Sequence, residues 1–90
     1  MARVRLPSML RTYVDGEKEI DVDGATLRSV LDAVRERSPG LERRLRDESG
    51  QLRRYVNFYV GDDECRTLEG QDTPVDAGTE IMIIPSVAGG

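Results

Sequence analysis

Histidine is absent from the 90-residue chain, and cysteine occurs once, as Cys65. Without an imidazole the chain cannot build a Ser-His-Asp triad, a Cys-His pair or the usual catalytic zinc site. A single cysteine allows no disulfide within the chain and no Cys-x-x-Cys site. A small chain without disulfides is typical of a reducing compartment, so we expect a cytoplasmic location.

Long apolar runs and an excess of positive charge are also missing. The longest apolar run is Ile81-Met82-Ile83-Ile84, far short of the ~20 residues that a membrane helix needs. The 13 basic and 17 acidic residues give a net charge of −4. A field of that sign opposes binding to nucleic acids and to anionic membranes, so neither is expected as a partner.

The remaining pattern predicts one α+β domain with the element order β-β-α-(short α)-β-β-β. Apolar residues at helical spacing predict a main helix over Leu27–Arg37, capped by Thr26. A second, short helix is expected after Ser38-Pro39, because Leu41 and Leu45 lie four residues apart. With one real helix, the arrangement expected is a single sheet packed by that helix on one face.

Alternating residues and turn signals predict the strands around this helix. Cys65–Leu68 is predicted as a short partner strand, after a turn at Gly61-Asp62-Asp63-Glu64. The other four predicted strands are Arg3–Leu6, Glu17–Val22, Tyr55–Val60 and Glu80–Ile84, with a turn at Val14–Glu17 between the first two.

The last predicted strand is apolar on both faces, which one helix cannot cover. Ile81 and Ile83 point to one side, and Met82 and Ile84 to the other. Either a loop covers Met82 and Ile84, or they form a contact patch. The latter alternative gives a candidate partner-docking face of four residues: Tyr55, Tyr59, Met82 and Ile84.

The chain ends in Ser86-Val87-Ala88-Gly89-Gly90, which we interpret as a flexible tail after a domain at 1–85. Five residues reach roughly 16–18 Å, enough to enter another protein's active site. Glycine without a Cβ passes a narrow channel, and the Gly90 carboxylate is unhindered. A carboxylate becomes electrophilic once it is activated, for example by ATP. The chain has no phosphate-binding loop, so a partner would supply the nucleotide chemistry.

Three other features of the sequence are candidate sites. Cys65 is expected to be a buried small residue rather than a reactive thiol. Asp62-Asp63-Glu64 lacks the ligand spacing of a calcium loop, so a polar turn is expected and no metal site. A basic patch is interpreted as a solvated helix face, and docking of an acidic partner is the alternative. RNA binding is not expected, because no aromatic side chains suited to base stacking lie among the arginines. The members of this patch are Arg43, Arg44, Arg46, Arg53 and Arg54.

Several segments together resemble the ubiquitin-like sulfur-carrier family of the ThiS and MoaD type, and within it the CysO-type carriers of actinobacteria. The resemblance spans nearly the whole chain, and the Pro-x-Val-Ala-Gly-Gly ending is its most specific part. The segments that carry it are Pro7–Arg11, Gly24–Leu27, Arg54–Val60 and Ile81–Gly90.

The resemblance implies a β-grasp fold, with the last strand paired centrally to the first and a free C-terminal tail. It implies that the chain is no enzyme and binds no cofactor itself. An adenylating enzyme with Mg and ATP would activate Gly90, and a sulfur donor would make the thiocarboxylate. The client would be a pyridoxal-phosphate cysteine synthase or another enzyme of sulfur-containing natural products, with a metalloprotease releasing the product.

The sequence is also compatible with three other functions. One is the small subunit of molybdopterin synthase, which would form a stable complex with a large catalytic subunit. Another is a ubiquitin-like modifier, which would use the same activation but end in an isopeptide bond to lysine. A third is a non-covalent interaction module in which the two terminal glycines are incidental.

Overall fold

A computed structural model describes residues 1–85. It contains five strands, two α-helices and three 3-10 helices. The strands are β1 (Ala2–Arg5), β2 (Glu19–Val22), β3 (Val56–Val60), β4 (Asp63–Glu64) and β5 (Glu80–Pro85). The helices are α1 (Leu27–Arg37) and α2 (Pro39–Leu45), with 3-10 helices at Ser8–Val14, Cys65–Thr67 and Gly70–Asp72.

The strands form one mixed sheet in the order β2-β1-β5-β3-β4. β5 is central: it runs parallel to β1, with Val4 opposite Ile81, and antiparallel to β3, with Phe58 opposite Ile83. A parallel pair needs a long crossover, and the helices lie in the chain between β1 and β5. The mixed sheet and the central last strand confirm the expected α+β architecture.

Helix α1 has the predicted bounds and the predicted cap. The Thr26 Oγ1 accepts a hydrogen bond from the Ser29 backbone N–H at 3.2 Å, and the Ser29 hydroxyl accepts one from the Thr26 backbone N–H at 3.0 Å. This reciprocal pair satisfies backbone donors that the first turn of a helix leaves free. The helix therefore begins at a defined residue.

The core lies between α1 and one face of the sheet. Helix α1 buries an apolar stripe, and the strands contribute their inward-facing residues. Burial of such side chains supplies most of the stabilisation that a domain of this size has. The side chains with no more than 2% of their surface exposed include Val30, Leu31, Val34, Leu41, Leu45, Phe58, Ile81 and Ile83.

One predicted strand is wrong. Cys65–Leu68 is not a strand: the partner of β3 is the two-residue β4, and the chain then turns into the 3-10 helix Cys65–Thr67. The Glu64 carboxylate caps that helix by accepting the Arg66 backbone N–H at 2.8 Å, which favours a turn over a longer hairpin.

The connection between β1 and β2 ends in the predicted turn, in which the Glu17 backbone N–H donates to the Val14 carbonyl at 3.1 Å, but it is longer than a turn. The 3-10 helix Ser8–Val14 occupies most of it. It ends where Asp15 adopts a left-handed conformation, with φ 57°, before Gly16 at φ 85°. These positive φ angles reverse the chain, a role for which Asp and Gly are well suited.

Among residues 1–85, no helix is both long and apolar enough to span a bilayer.

Candidate functional site

Strand β5 leads directly to the tail that the sequence marks as the functional segment. Its last described residue, Pro85, lies opposite Val56 at the start of β3. The predicted site residues Ser86, Val87, Ala88, Gly89 and Gly90 lie outside the described residues. What the structure describes is therefore the surface around the point where β5 ends.

The outer face of the sheet carries an exposed apolar area beside that point. Met82 and Ile84 are 36% and 42% exposed, so among residues 1–85 no loop buries them. Tyr59 lies opposite Met82 in the β3–β5 register, and Asn57 lies opposite Ile84. For the last strand, which is apolar on both faces, the structure favours an exposed patch over burial beneath a loop.

The neighbouring half of the same face is charged. Arg3 pairs with Asp21 at 3.2 Å and with Glu19 at 3.6 Å, while Arg5 approaches Glu80 at 3.7 Å. These pairs lie across β1, β2 and β5 and are about half exposed. The apolar patch thus has a charged border on one side, as protein-binding surfaces commonly have.

Tyr55 lines different depressions from Met82 and Ile84. It precedes β3 rather than lying within it, is 51% exposed, and lines a different depression together with Tyr13. Sequence alternation alone placed it with Tyr59. The local break at the start of β3 removes that alternation, because a side chain alternates between sheet faces only within an extended strand.

Cys65 is completely buried. Burial raises the pKa of its thiol to about 11, and the adjacent Glu64 carboxylate contributes in the same direction. A reactive cysteine needs an exposed thiolate in an electropositive setting. The structure therefore agrees with the expectation that Cys65 is a packing residue.

One of the five arginines of the predicted basic patch, Arg46, is buried. Arg46 is not on a solvated helix face: its side chain is only 4% exposed and bridges Glu42, Asp32 and Gln71 at 2.7, 2.9 and 3.1 Å. The other members of the patch lie at the surface or are half-buried. Sequence reasoning missed this structural role because two of the three partners come from other elements.

The acidic run Asp62-Asp63-Glu64 is predicted by the sequence to be a polar turn. Asp62 lies in the turn of a hairpin, whereas Asp63 and Glu64 form its second strand, β4. Glu64 is engaged locally, since its carboxylate accepts a hydrogen bond from Arg66 Nη1 at 2.8 Å. Within residues 1–85, no cluster of three or more carboxylate or thiol side chains is arranged to hold a metal ion.

The five-strand mixed sheet with its central last strand, crossed by one main helix, defines a ubiquitin-like β-grasp protein. A sequence model of the ThiS family matches residues 4–90. The chain belongs to that family.

The chain is also similar to individual proteins with the same fold. The chain is 37% identical, over 97% of its length and 96% of theirs, to the sulfur carrier protein CysO of Mycobacterium tuberculosis. Its fold resembles a chain in the crystal structure of the Amycolatopsis orientalis BexX/CysO complex, with a TM-score of 0.91, 38% identity and full coverage of both chains. It also resembles small archaeal modifier protein 1 of Methanosarcina acetivorans, with a TM-score of 0.84 and 28% identity over 99% of this chain and 95% of that one.

Proposed function

We propose that the chain is a sulfur carrier. A separate ATP-dependent enzyme adenylates the Gly90 carboxylate, a sulfur donor converts it to a thiocarboxylate, and the sulfur passes to a biosynthetic enzyme. The observation that carries the proposal is the nearly full-length similarity to named sulfur carriers, together with a family match that runs to residue 90. The chain presents Gly89-Gly90 at that end.

With sulfide as the sulfur donor, the conversion of the Gly90 carboxylate needs no oxidant and no reductant. A carboxylate oxygen of Gly90 attacks the α-phosphorus of ATP, and pyrophosphate leaves. Sulfur from the donor then attacks the acyl carbon, the carbon–oxygen bond to phosphorus breaks, and AMP leaves with the former carboxylate oxygen. The net change is one oxygen replaced by one sulfur. The resulting anion is a nucleophile for the client, either a cysteine synthase or another enzyme of sulfur metabolism.

The exposed patch on the sheet is proposed as the docking face for these enzymes. Tyr59, Met82 and Ile84 present apolar surface on two central strands, next to charged pairs. Strand β5 continues from this patch into the tail, so a partner that holds the patch is close to the start of the tail. An extended chain of five residues reaches roughly 16–18 Å, enough to enter the active site of a partner.

Intact mass spectrometry tests the proposal. The full chain is incubated with a sulfur-carrier activating enzyme, Mg-ATP and sulfide. We expect a mass gain equal to the exchange of one oxygen for one sulfur, and no gain without ATP or in a variant that lacks Gly90. No gain in the full chain, with an activating enzyme that converts its own carrier in parallel, would overturn the proposal.

Protein modification is the second candidate, favoured by the similarity to a small archaeal modifier protein. An amine would then capture the activated Gly90 in place of sulfur. The distinguishing observation is an isopeptide-linked remnant that ends in Gly89-Gly90 on lysine residues of other proteins; after tryptic digestion this remnant comprises residues 67–90, because Arg66 is the last basic residue. If such remnants form while no thiocarboxylate is detected, the chain is a modifier and not a carrier.

A further inference from the structure

A groove that the sheet patch does not include lies on the side of the domain where β5 ends. Two adjoining depressions share Tyr13, Arg44 and Tyr55. They lie between the 3-10 helix Ser8–Val14, helix α2 and the start of β3. We call this surface the Arg44 groove.

One end of the Arg44 groove is basic. Arg43, Arg44 and Arg53 line it, and within the described part of the chain no carboxylate lies within 4.0 Å of their guanidinium groups. Among the described residues, Arg11, Arg35 and Arg54 likewise have no carboxylate within 4.0 Å, whereas six other arginines each pair with an Asp or Glu. Those six are Arg3, Arg5, Arg28, Arg37, Arg46 and Arg66.

The other end of the Arg44 groove is apolar and touches the tail exit. Met9, Leu10, Val56 and Pro85 line it. Met9 is 66% exposed, so its side chain is accessible at this end of the groove. Because Pro85 forms part of the wall, any protein that takes up the residues after Pro85 passes this end of the groove.

The middle of the Arg44 groove is held in place by specific contacts. Arg44 Nε donates to the Tyr13 hydroxyl at 2.7 Å, and its guanidinium carbon lies 5.8 Å from the centre of the Tyr13 ring. The Ser38 hydroxyl donates to the Tyr13 backbone carbonyl at 3.0 Å. These contacts orient the groove before any partner binds, which lowers the entropic cost of binding.

Gly40 makes this packing feasible. A Cβ at that position would lie 3.1 Å from Cδ1 of Tyr13, which is closer than most side chains tolerate. A glycine near the start of a helix otherwise lowers helix stability relative to alanine. Its position in α2 therefore has a local explanation, which is the approach of the Tyr13 ring.

We propose that the Arg44 groove binds an acidic segment of the activating enzyme that takes up Gly90. This inference rests on the proposed function and adds a second contact to the sheet patch. The three guanidinium groups complement carboxylates, and the apolar end accepts an aliphatic or aromatic neighbour.

A protein segment fits this groove better than RNA does. A short acidic segment meets mainly the local positive charge, since exposed charges beyond a Debye length of about 8 Å are screened at physiological salt. A long phosphate backbone would also meet the remaining surface, and the whole chain has a net charge of −4. Local charge and overall charge therefore favour different ligands.

Nuclear magnetic resonance titration of the full chain tests the groove directly. The probe is a short peptide of alternating glutamate and leucine, and its matched control carries glutamine in place of glutamate. We expect the acidic peptide to shift signals of Tyr13, Gly40 and Tyr55, and added salt to reverse the shifts. Equal shifts with the glutamine peptide, shifts centred elsewhere, or stronger binding of oligouridylate would overturn the proposal.

Two variants separate the groove from general charge effects. Arg44→Gln combined with Arg53→Gln removes two groove charges, and Arg35→Gln removes one exposed charge on α1. We expect the double variant to bind the acidic peptide about tenfold more weakly and the Arg35 variant to bind as the wild type does. A chain that ends at Pro85 is expected to bind equally well. Tighter binding after that truncation would identify the chain's own terminus as the occupant.

The sulfur-exchange assay then assigns the partner. With wild-type chain, the assay tests the proposed function alone. In the double variant we expect the carrier concentration for half-maximal rate to rise about tenfold while the maximal rate is kept. If the wild type is converted and the double variant is converted equally well, the groove proposal fails and the carrier proposal stands. If the wild type is not converted, the assignment to the activating enzyme fails along with the carrier proposal.

Discussion

Arg46 Nε donates a hydrogen bond to the Glu42 carboxylate at 2.7 Å. Only 4% of the Arg46 side-chain surface is exposed to solvent. The same guanidinium donates to Asp32 on α1 and to Gln71 in the 3-10 helix Gly70–Asp72. One cation therefore joins three elements on the side of the core away from the sheet.

Replacing Arg46 with alanine is expected to destabilise the fold by about 3 kcal/mol, because it leaves the nearly buried Glu42 carboxylate without its cation. Urea unfolding measures the change. The exposed Arg35→Gln variant is the control and is expected to stay within about 0.5 kcal/mol of wild type. Replacing Arg46 with methionine and Glu42 with leucine together should recover part of the loss. A small effect of the single alanine variant would show that the network adds no net stability.

Gly24→Ala is expected to lower stability by about 1–3 kcal/mol through steric overlap. A Cβ at Gly24 would lie 2.7 Å from the Val30 backbone nitrogen and 2.8 Å from its Cγ2. Backbone of the capped first turn cannot move aside cheaply. Thermal unfolding measures the loss, and the exposed neighbour variant Ala25→Ser serves as control. Equal unfolding temperatures for the two variants would contradict the steric explanation.

Stability is expected to fall as the pH rises from 9 to 11, partly through Cys65. Burial raises the pKa of this thiol from 9.0 to about 11. In that range the folded state holds more protons than the unfolded state, so the free energy of unfolding decreases with pH; below pH 9 both states are protonated and the contribution is constant. Urea midpoints measured across this range should fall less steeply for Cys65→Ala. Equal slopes would assign the loss to other groups.

Removing Gly90, or replacing Gly89 with valine, is expected to abolish sulfur exchange while leaving the unfolding temperature nearly unchanged. The first change removes the reacting carboxylate, and the second places a branched Cβ where a narrow channel favours glycine. Intact mass and thermal unfolding are measured on the same samples. A large loss of stability in either variant would assign a structural role to the tail.

Ile84→Ser is expected to weaken the interaction with the activating enzyme without unfolding the domain. Ile84 is 42% exposed on the outer face of β5, whereas its neighbour Ile83 is 2% exposed. Loss of apolar contact raises the carrier concentration needed for half-maximal exchange. The matched variant Ile83→Ser should instead destabilise the fold. Unchanged kinetics for Ile84→Ser would exclude this residue from the docking face.

Local patterns predicted those elements whose determinants lie close together in the chain. Helix α1 is an example, because its apolar stripe and the Thr26–Ser29 cap are contained within Thr26–Arg37. The short helix after Pro39 and the final strand are others. The error at Cys65–Leu68 is an exception, since its determinant is local: the Glu64 carboxylate accepts the Arg66 backbone N–H and favours a 3-10 turn where the sequence pattern also allowed a strand.

The amino-acid sequence by itself determined the absence of imidazole chemistry, the helix and strand order, and the Gly-Gly ending on which the proposed function rests. Tertiary structure alone decided that Arg46 is buried and that Tyr55 lines a groove with Tyr13 and Arg44. The physical reason is separation along the chain. Arg46 bonds to Asp32 and Gln71, 14 and 25 residues away, and such contacts follow from the packing of whole elements.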